Sequence, residues 1–165
     1  MFVTSIYGQQ NRNLLKIVKV GMTVEEMKGT LEGYSFMEEP IANYGIDGES
    51  FGISVYYNNE KLFFVWTKYG SDKIHEIVIL SSEIEIDGII KVGSTLKEYL
   101  NVNPNAKIEL NPINEEWEYA YSLNKFYSVE FHKPNGRKVA EYNDDYSLKK
   151  ILNVNSTIDR IIIRK

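Results

Sequence analysis

Alternating hydrophobic and polar positions predict that this chain consists mainly of antiparallel β-strands. The clearest signal is the pair of runs Phe51–Tyr57 and 61–67, which the polar stretch 58–60 joins as a hairpin turn. Further strands are predicted at 73–80, 116–122, 125–132 and 157–164. Shorter β-rich runs are predicted at 16–20 and 84–92.

Two short helices are predicted from matching start signals. Thr23 precedes Glu26 by three residues, and Thr95 precedes Glu98 by the same spacing. In such a capping box the threonine oxygen accepts a backbone N–H of the first helical turn, and the glutamate accepts the N–H of the threonine. The first helix is expected over 24–32, and the second is expected to be shorter because two asparagines and a proline interrupt it.

A long repeat organises the chain. The sequence IVKVGMT at 17–23 returns as IIKVGST at 89–95, and IHEIVI at 74–79 returns as IDRIII at 158–163. Repetition on this scale predicts copies of one structural unit. We therefore expect an α+β fold of two tandem repeats, each a short helical segment packed on an antiparallel β-meander. The two meanders form either separate sheets or one continuous sheet.

The repeat sets the expected domain boundaries. Residues 1–14 form an N-terminal segment, 15–82 the first repeat and 83–165 the second. The hairpins align as Ile53 with Trp117 and the last strands as Ile74 with Ile158, so the second repeat is longer between these points and carries an insertion at about 132–153. That insertion is expected to contain a turn and one short helix. Such an insertion can carry function, although it is more often a decorated loop.

Comparison of the two repeats predicts which side of each strand packs on the helices, because side chains alternate between the faces of a sheet. Positions that are apolar in both copies are expected to face the helices: Ile53/Trp117, Val55/Tyr119, Tyr57/Tyr121, Phe63/Tyr127, Val65/Val129 and Ile77/Ile161. The other face then carries Tyr56, Leu62, Phe64 and Trp66 in the first repeat and Ala120, Phe126, Ser128 and Glu130 in the second. It is therefore expected to be aromatic in one half and mixed polar in the other.

An aromatic sheet face predicts a cover, which is either a partner protein or another part of this chain. Tryptophan and tyrosine are favoured anchors of protein interfaces. We therefore expect a partner-binding site of aromatic anchors and a polar rim, formed by Tyr56, Leu62, Phe64, Trp66, Glu118 and Glu130. The alternative is that the N-terminal segment or the insertion folds back over this face.

Composition narrows the range of partners. The net charge is −4 and the basic residues do not cluster, which argues against nucleic acid as a partner. The absence of cysteine excludes disulfides and cysteine metal sites, and the absence of a run of about eighteen apolar residues predicts no membrane span. Residues 1–10 look like the end of a secretory signal, which predicts a periplasmic or secreted protein. An irregular start or a first strand fits them as well and leaves a cytoplasmic location open.

The residue types that catalyse reactions or bind metals form no recognisable constellation. His75 and His132 are each isolated, whereas a zinc site needs three or four ligands. Glu83, Glu85 and Asp87 alternate along a β-rich run, where they could bind a divalent cation but more simply form its solvent face. No glycine-rich phosphate loop and no serine nucleophile motif occurs. We therefore expect no enzyme activity, no metal and no cofactor.

The sequence VGMTVEEM at 20–27, its second copy VGSTLKE at 92–98 and the aromatic strands that follow resemble one group of proteins. The pattern is similar to the β-lactamase inhibitor protein fold and to the SmpA/BamE-type outer-membrane assembly lipoproteins. This resemblance implies a non-enzymatic, protein-binding sheet in the bacterial envelope or outside the cell, without implying a β-lactamase as target. The lipoproteins carry a lipidated N-terminal cysteine and the inhibitor carries disulfides, and this chain has no cysteine.

Three functions are compatible with these patterns. The first is a non-enzymatic protein-binding or inhibitor-like module, whose partner is another protein. The second is a cytoplasmic immunity-type protein that neutralises a toxin or enzyme, in which the acidic stretch 25–49 opposes a basic partner. The third is a carboxylate-dependent enzyme, which would need two carboxylates at a defined separation across a cleft. The oligomeric state has no signal in the sequence.

Overall fold

The computed structural model describes residues 14–112, 114, 116–133 and 138–164. The predicted N-terminal segment, with the exception of Leu14, lies outside the described residues. The fold is α+β: it consists of one eight-stranded antiparallel sheet, a separate two-stranded sheet and a few short helices. In the described part of the chain, every helix is too short or too polar to cross a membrane.

The elements follow one another along the chain in a fixed order. They are α1 (Leu14–Ile17), α2 (Val24–Thr30), β1 (Ser35–Pro40), a 3₁₀ helix (Ile41–Tyr44), β2 (Phe51–Tyr57), β3 (Glu60–Thr67), β4 (Ile74–Ile79), α3 (Leu96–Val102), β5 (Lys107–Leu110), β6 (Trp117–Tyr121), β7 (Tyr127–His132), β8 (Ala140–Tyr142), β9 (Leu148–Ile151) and β10 (Arg160–Ile163). We call the part from α1 to β4 the first half and the part from α3 to β10 the second half.

The strand order of the large sheet is β1-β2-β3-β4-β10-β7-β6-β5. The last strands of the two halves, β4 and β10, pair in the centre, and Ile162 lies opposite Val78. The strands β1 and β5 therefore form the two outer edges. All neighbouring strands are antiparallel, and the pairing of β4 with β10 makes the sheet continuous across both halves.

The same turn precedes the main helix in each half. The N–H of Gly21 donates to the carbonyl of Ile74, and the N–H of Gly93 donates to the carbonyl of Ile158, each at 2.8 Å. Both glycines have a positive φ, 93° and 89°, which a residue with a Cβ adopts only with strain. The matching sequences at 17–23 and 89–95 thus have one geometric cause, namely a tight turn that binds beside the start of a central strand and leads into a helix.

Both predicted capping boxes are confirmed. The hydroxyl of Thr23 accepts from the N–H of Glu26 at 3.1 Å, and the carboxylate of Glu26 accepts from the N–H of Thr23 at 2.7 Å. Thr95 and Glu98 make the same two bonds at 3.2 and 2.6 Å. Helices of seven residues are marginal alone, so these caps and the packing of each helix on the sheet decide their stability.

The core lies between the helices and one face of the large sheet, which we call the helix face. Met27 of α2 and Leu96 of α3 are fully buried there against Phe63, Val129 and Ile161 of the sheet. The opposite side is the second face, where a smaller buried cluster lies under the 3₁₀ helix. The second face carries the candidate site.

The predicted strands of the two hairpins and of both last strands are confirmed, whereas several other expectations are wrong. The run 16–20 is not a strand, because it overlaps α1, and 84–92 contains only a single bridge between Ile86 and Ile90. The helix α2 ends at Thr30 instead of Glu32, and α3 has the same length as α2 instead of being shorter. Over its residues 138–153, the insertion forms the β8–β9 hairpin instead of a helix, whereas the turn expected at 134–136 lies outside the described residues.

The two edge strands, β1 and β5, have no counterpart among the predicted strands. The strand β1 has no alternating apolar pattern and most of its positions are exposed, whereas β5 alternates polar and apolar residues over only four positions and buries only Ile108 fully. Their hydrogen bonds to β2 and β6, respectively, define them. Both supply a carboxylate to the second face, as described below.

Candidate functional site on the second face of the sheet

The register of the strands identifies the residues of the second face, because residues directly opposite each other share a face. Tyr119 of β6 lies opposite Glu130 of β7, which in turn lies opposite Arg160 of β10. Trp66 of β3 lies opposite Glu76 of β4 in the same way. The second face therefore runs across the whole sheet from β1 to β5.

In the first half, the second face is partly closed by the chain itself. The ring of Phe64 is fully buried, and the ring of Tyr44 in the 3₁₀ helix stacks on it at 3.8 Å between centroids. A Cβ at Gly52 would lie 2.2 Å from this Phe64 ring, so a glycine is required there. The expectation that Phe64 is an exposed anchor is wrong, because the 3₁₀ helix covers it.

Leu62 does not lie on the second face. Val55 pairs with Phe63 and Tyr56 pairs with Lys61, so Leu62 is the extra residue of a β-bulge. Its side chain is fully buried in the helix-face core. The expectation that Leu62 contacts a partner is wrong, because the bulge reverses the alternation between Leu62 and Lys61.

In the second half, three aromatic residues of β6 lie on the face opposite to the one expected. Ala120 pairs with Val129, and both are fully buried in the helix-face core. Trp117, Tyr119 and Tyr121 therefore point to the second face, where each is half-buried. The second half is thus at least as aromatic on this face as the first, and the expected contrast between an aromatic and a mixed polar half is wrong.

The reversed face has a simple cause in the register. Val65 and Val129 occupy matching positions, as the sequence comparison predicts, and Val65 pairs with Ile53. Val129, however, pairs with Ala120 rather than with Trp117, the residue that the comparison matched to Ile53. A shift by an odd number of positions, here three, exchanges the two faces of a strand. Ala120 therefore lies on the helix face, whereas Ser128 remains on the second face as expected.

The two glutamates predicted to form a polar rim are both buried. Glu118 lies on the helix face with no exposed surface, and its carboxylate accepts the backbone N–H groups of Val139 and Ala140 at 2.6 and 3.0 Å. The ammonium of Lys133 lies 3.7 Å from it. The rim expectation for Glu118 is wrong, because this carboxylate fastens the β8–β9 hairpin to the core.

Glu130 does lie on the second face, but it is 7% exposed and pairs with the guanidinium of Arg160. Arg160 also donates to the carbonyl of Tyr44 at 2.8 Å and stacks 3.9 Å from the ring centroid of Trp117. This cluster links the 3₁₀ helix of the first half to β6 of the second. The expectation that Glu130 forms part of an exposed polar rim is wrong as well, because its buried carboxylate is paired with Arg160 of the same chain.

The two remaining predicted residues, Tyr56 and Trp66, are half-buried on the second face. The indole N–H of Trp66 donates to Glu76 at 3.2 Å, and its ring meets His75 edge-on at 4.8 Å. Glu76 in turn pairs with Arg164. That Tyr56 and Trp66 bind a partner stays a prediction.

A carboxylate cluster lies at the β1 edge of the second face. Glu39 accepts from the hydroxyls of Tyr44 and Tyr56 at 2.5 and 2.9 Å, and the ammonium of Lys61 lies 2.7 and 2.8 Å from its two oxygens. Burial works against ionisation, but these bonds outweigh it and lower the pKa of Glu39 to about 2. Glu39 is thus a carboxylate whose counter-ion comes from its own chain.

A second carboxylate cluster lies at the β5 edge. Glu109 accepts from the hydroxyls of Tyr119 and Tyr121 at 2.7 and 2.8 Å. Burial and the bond to Glu109 raise the pKa of Tyr119, and the bond to Glu109 and burial raise the pKa of Tyr121. Both hydroxyls therefore stay protonated and remain donors to the carboxylate.

This second cluster forms a wall of a cleft with a volume of about 370 Å³. Its floor contains Ser128 and Ile162 of the central strands, and its rim contains the exposed Leu123 and Phe126. Two basic residues, Lys125 and Arg164, also line it. The cleft therefore combines aromatic walls with one carboxylate and two cations, which suits a polar group carried on an apolar stem.

The other residues considered for chemistry lie apart from one another in the part of the chain that the structure describes. No group of three or more potential metal ligands occurs within residues 14–112, 114, 116–133 and 138–164. Glu83, Glu85 and Asp87 do not lie on a strand, and Asp87 accepts from Lys125 and Tyr127 at 2.7 and 2.9 Å. The interpretation of these three carboxylates as the solvent face of a strand is wrong.

Comparisons with known proteins show a likeness in fold only. No protein family and no curated protein matches the chain. Among solved structures, the chain is similar to the uncharacterized protein yfeY from Escherichia coli, with a TM-score of 0.54 and 14% identity over 89% of this chain and 91% of that one. Likeness at this identity concerns the arrangement of strands and helices alone.

Proposed function

We propose that this protein is a non-enzymatic binding module that contacts another protein through the second face of its sheet. The observation that supports this is the row of Trp117, Tyr119 and Tyr121, which lie half-buried at alternate positions of β6. Half-buried aromatic rings present a large contact area with little loss of conformational entropy on binding, which makes them favoured anchors. Tyr56 and Trp66 extend the same surface into the first half.

We further propose that the two halves are tandem copies of one module. The matched glycine turns, the two capping boxes and the mirrored strand order around β4 and β10 support this interpretation. The resemblance to the β-lactamase inhibitor protein fold implies the same use of a sheet as a binding surface. A face that crosses both copies offers one continuous area for a partner.

The test is affinity capture from fractions of the native host, with wild type beside Tyr119→Ala and Trp66→Ala. Tyr69 is fully exposed in the turn after β3 and lies outside the strands of the sheet, so Tyr69→Ala is the matched control. We expect one protein to be captured by wild type and by the control, and binding to weaken by more than about 1 kcal/mol in the Tyr119 variant.

Circular dichroism and unfolding curves of each variant separate lost binding from lost folding. A partner that is retained equally by all folded variants would show that the second face is not the interface. Capture of one defined protein, followed by a measured dissociation constant that changes only for second-face variants, would establish the proposal.

A further inference from the structure

The two edges of the second face carry the same arrangement of a carboxylate and two tyrosines. Glu39 lies on β1 and Glu109 on β5, the outermost strands of the sheet. The first accepts from two tyrosine hydroxyls and so does the second, with distances between 2.5 and 2.9 Å. The first edge therefore shows what this arrangement binds in the folded protein.

At the first edge the tyrosine-held carboxylate binds an ammonium group. The Nζ atom of Lys61 contacts both oxygens of Glu39 and lies 5.5 Å from the ring centroid of Tyr56 and 5.7 Å from that of Tyr44. Carboxylate and aromatic rings together favour a cation, through an ion pair and through the electron-rich ring faces. The cation here comes from the neighbouring part of the same chain.

At the second edge, the described residues supply no such cation. Within the residues that the structure describes, no basic side chain forms an ion pair with Glu109. Lys125 occupies the sequence position that matches Lys61 in the aligned hairpins, but its ammonium binds Asp87 at 2.7 Å. Arg164 is bound by Glu76. Both cations that line the cleft therefore have carboxylate partners of their own.

The cleft beside Glu109 has room for the missing group. Its volume of about 370 Å³ exceeds that of a single side chain, and it is open to solvent. The tyrosine hydroxyls fix the carboxylate, so an entering cation meets a group that is already oriented. An apolar stem would pack against the rings while the charged end reaches Glu109.

We propose that the cleft at the β5 edge binds the ammonium or guanidinium group of a lysine or arginine side chain presented by the protein partner, with Glu109 as its counter-ion and Tyr119 and Tyr121 as its walls. This inference rests on the proposed function and specifies the chemistry of the partner. At the first edge, Lys61 supplies the cation that binds the carboxylate and its two tyrosines. At the second edge, the partner's side chain supplies that cation.

The test uses single amino-acid probes, so that no identified partner is needed. Nα-acetyl-lysine methylamide and Nα-acetyl-arginine methylamide are titrated into the protein, and the ring signals of Tyr119 and Tyr121 are followed by NMR. The neutral control of similar shape is Nα-acetyl-norleucine methylamide. We expect both cationic probes to shift these signals in a saturable way and the norleucine probe to leave them unchanged.

Two variants locate the binding. Glu109→Gln keeps the size of the side chain and should weaken the cationic probes about tenfold, whereas Glu39→Gln at the other edge is the matched control and should leave them unchanged. Ser128 lies opposite Tyr121 and lines the cleft, so Ser128→Lys supplies an internal cation. We expect this variant to fold and to bind neither probe.

Equal binding of the norleucine and lysine probes, equal binding by Glu109→Gln and wild type, or no shift with any probe would each overturn the inference. The protein-binding proposal is decided separately by the capture experiment. Failure of the probes while Tyr119→Ala still loses its partner would refute the cation site and leave the binding face. Specific probe binding without any second-face partner would refute the protein-binding function and leave a site for small cations.

Discussion

The two halves of the sheet place similar strands side by side but use the second face differently. In the first half, the 3₁₀ helix packs Tyr44 on Phe64, and Lys61 neutralises Glu39 from within. In the second half, the row of β6 aromatics stays half-exposed and Glu109 binds only tyrosine hydroxyls among the described residues. The first half has thus turned this surface into a second small core, and the second half keeps it available for contact.

The difference between the halves separates a surface that contributes to stability from one that we propose contributes to binding. The helix face is buried in both halves, so both contribute to folding. Additional burial on the second face stabilises the first half without any need for a partner. In the described part of the second half no comparable element covers the half-buried aromatic residues of β6. We therefore expect substitutions there to change partner affinity more than the free energy of unfolding.

The largest difference in the free energy of unfolding is expected between Phe64→Ala in the first half and Tyr119→Ala in the second. Phe64 is fully buried, so removing its ring should lower the free energy of unfolding by about 3–5 kcal/mol, because a cavity remains between Gly52 and Tyr44. Tyr119 is half-buried, and its removal should cost no more than about 1 kcal/mol. Urea unfolding curves measure both values. Equal losses in the two variants would show that the halves do not differ in this way.

A large effect is also expected at Glu118, which has no counterpart in the first half because only the second half carries the β8–β9 hairpin. In Glu118→Gln, one of the two backbone N–H groups at Val139 and Ala140 loses its acceptor, and Lys133 loses its counter-ion. We expect a loss of about 1–3 kcal/mol, together with faster hydrogen exchange at 139 and 140.

The control for this substitution is Glu116→Gln, since that carboxylate is 70% exposed and lies 3.7 Å from His132 at the surface. It should leave both stability and exchange unchanged. Slow exchange at 139 and 140 in the Glu118 variant would mean that the hairpin is held by other contacts.

Local sequence signals predicted the helix starts and the first hairpin correctly, because the interactions behind them join residues close together in the chain. The capping boxes span three residues, and the turn at Asn58 and Asn59 uses two residues with positive φ, 50° and 66°. Asparagine tolerates this conformation better than most residues. Such features depend little on the rest of the fold.

The candidate site could not be predicted in the same way, because it depends on register. Which face Tyr119 occupies follows from the pairing of Ala120 with Val129, and a shift of one position reverses it. The bulge at Leu62 has no periodic signature, and the alternation in the edge strand that carries Glu109 extends over only four residues.

The next prediction concerns Lys61, the internal cation of the Glu39 cluster. Lys61→Met leaves Glu39 bound only by tyrosine hydroxyls, which reproduces the arrangement at Glu109. Since Lys61 is 32% exposed along its side chain, we expect a modest loss of about 1 kcal/mol near neutral pH. The effect should be smaller at high salt, which screens the ion pair.

The pH dependence gives a second measurement on the same variant. Because the pKa of Glu39 is lowered from 4.5 to about 2 on folding, its stabilising contribution is complete above about pH 4.5 and is lost as the pH falls through about 2. In Lys61→Met this pKa should rise towards its ordinary value, so that less stability is lost on acidification. Parallel acid-unfolding profiles of wild type and variant would contradict the role assigned to Lys61.

The smallest difference is expected where the halves are alike, at the two capping boxes. Thr23→Ala and Thr95→Ala each remove the acceptor for one backbone N–H of a seven-residue helix, which typically costs about 1 kcal/mol. The corresponding bonds at the two caps are nearly equal in length, so the two losses should agree closely. Thermal or urea unfolding of the two single variants and of the double variant tests this. Since the caps lie on separate helices, the double loss should equal the sum of the single losses. Unequal or non-additive losses would show that the two helices contribute differently to the stability of the two halves. The halves would then differ in more than the use of the second face.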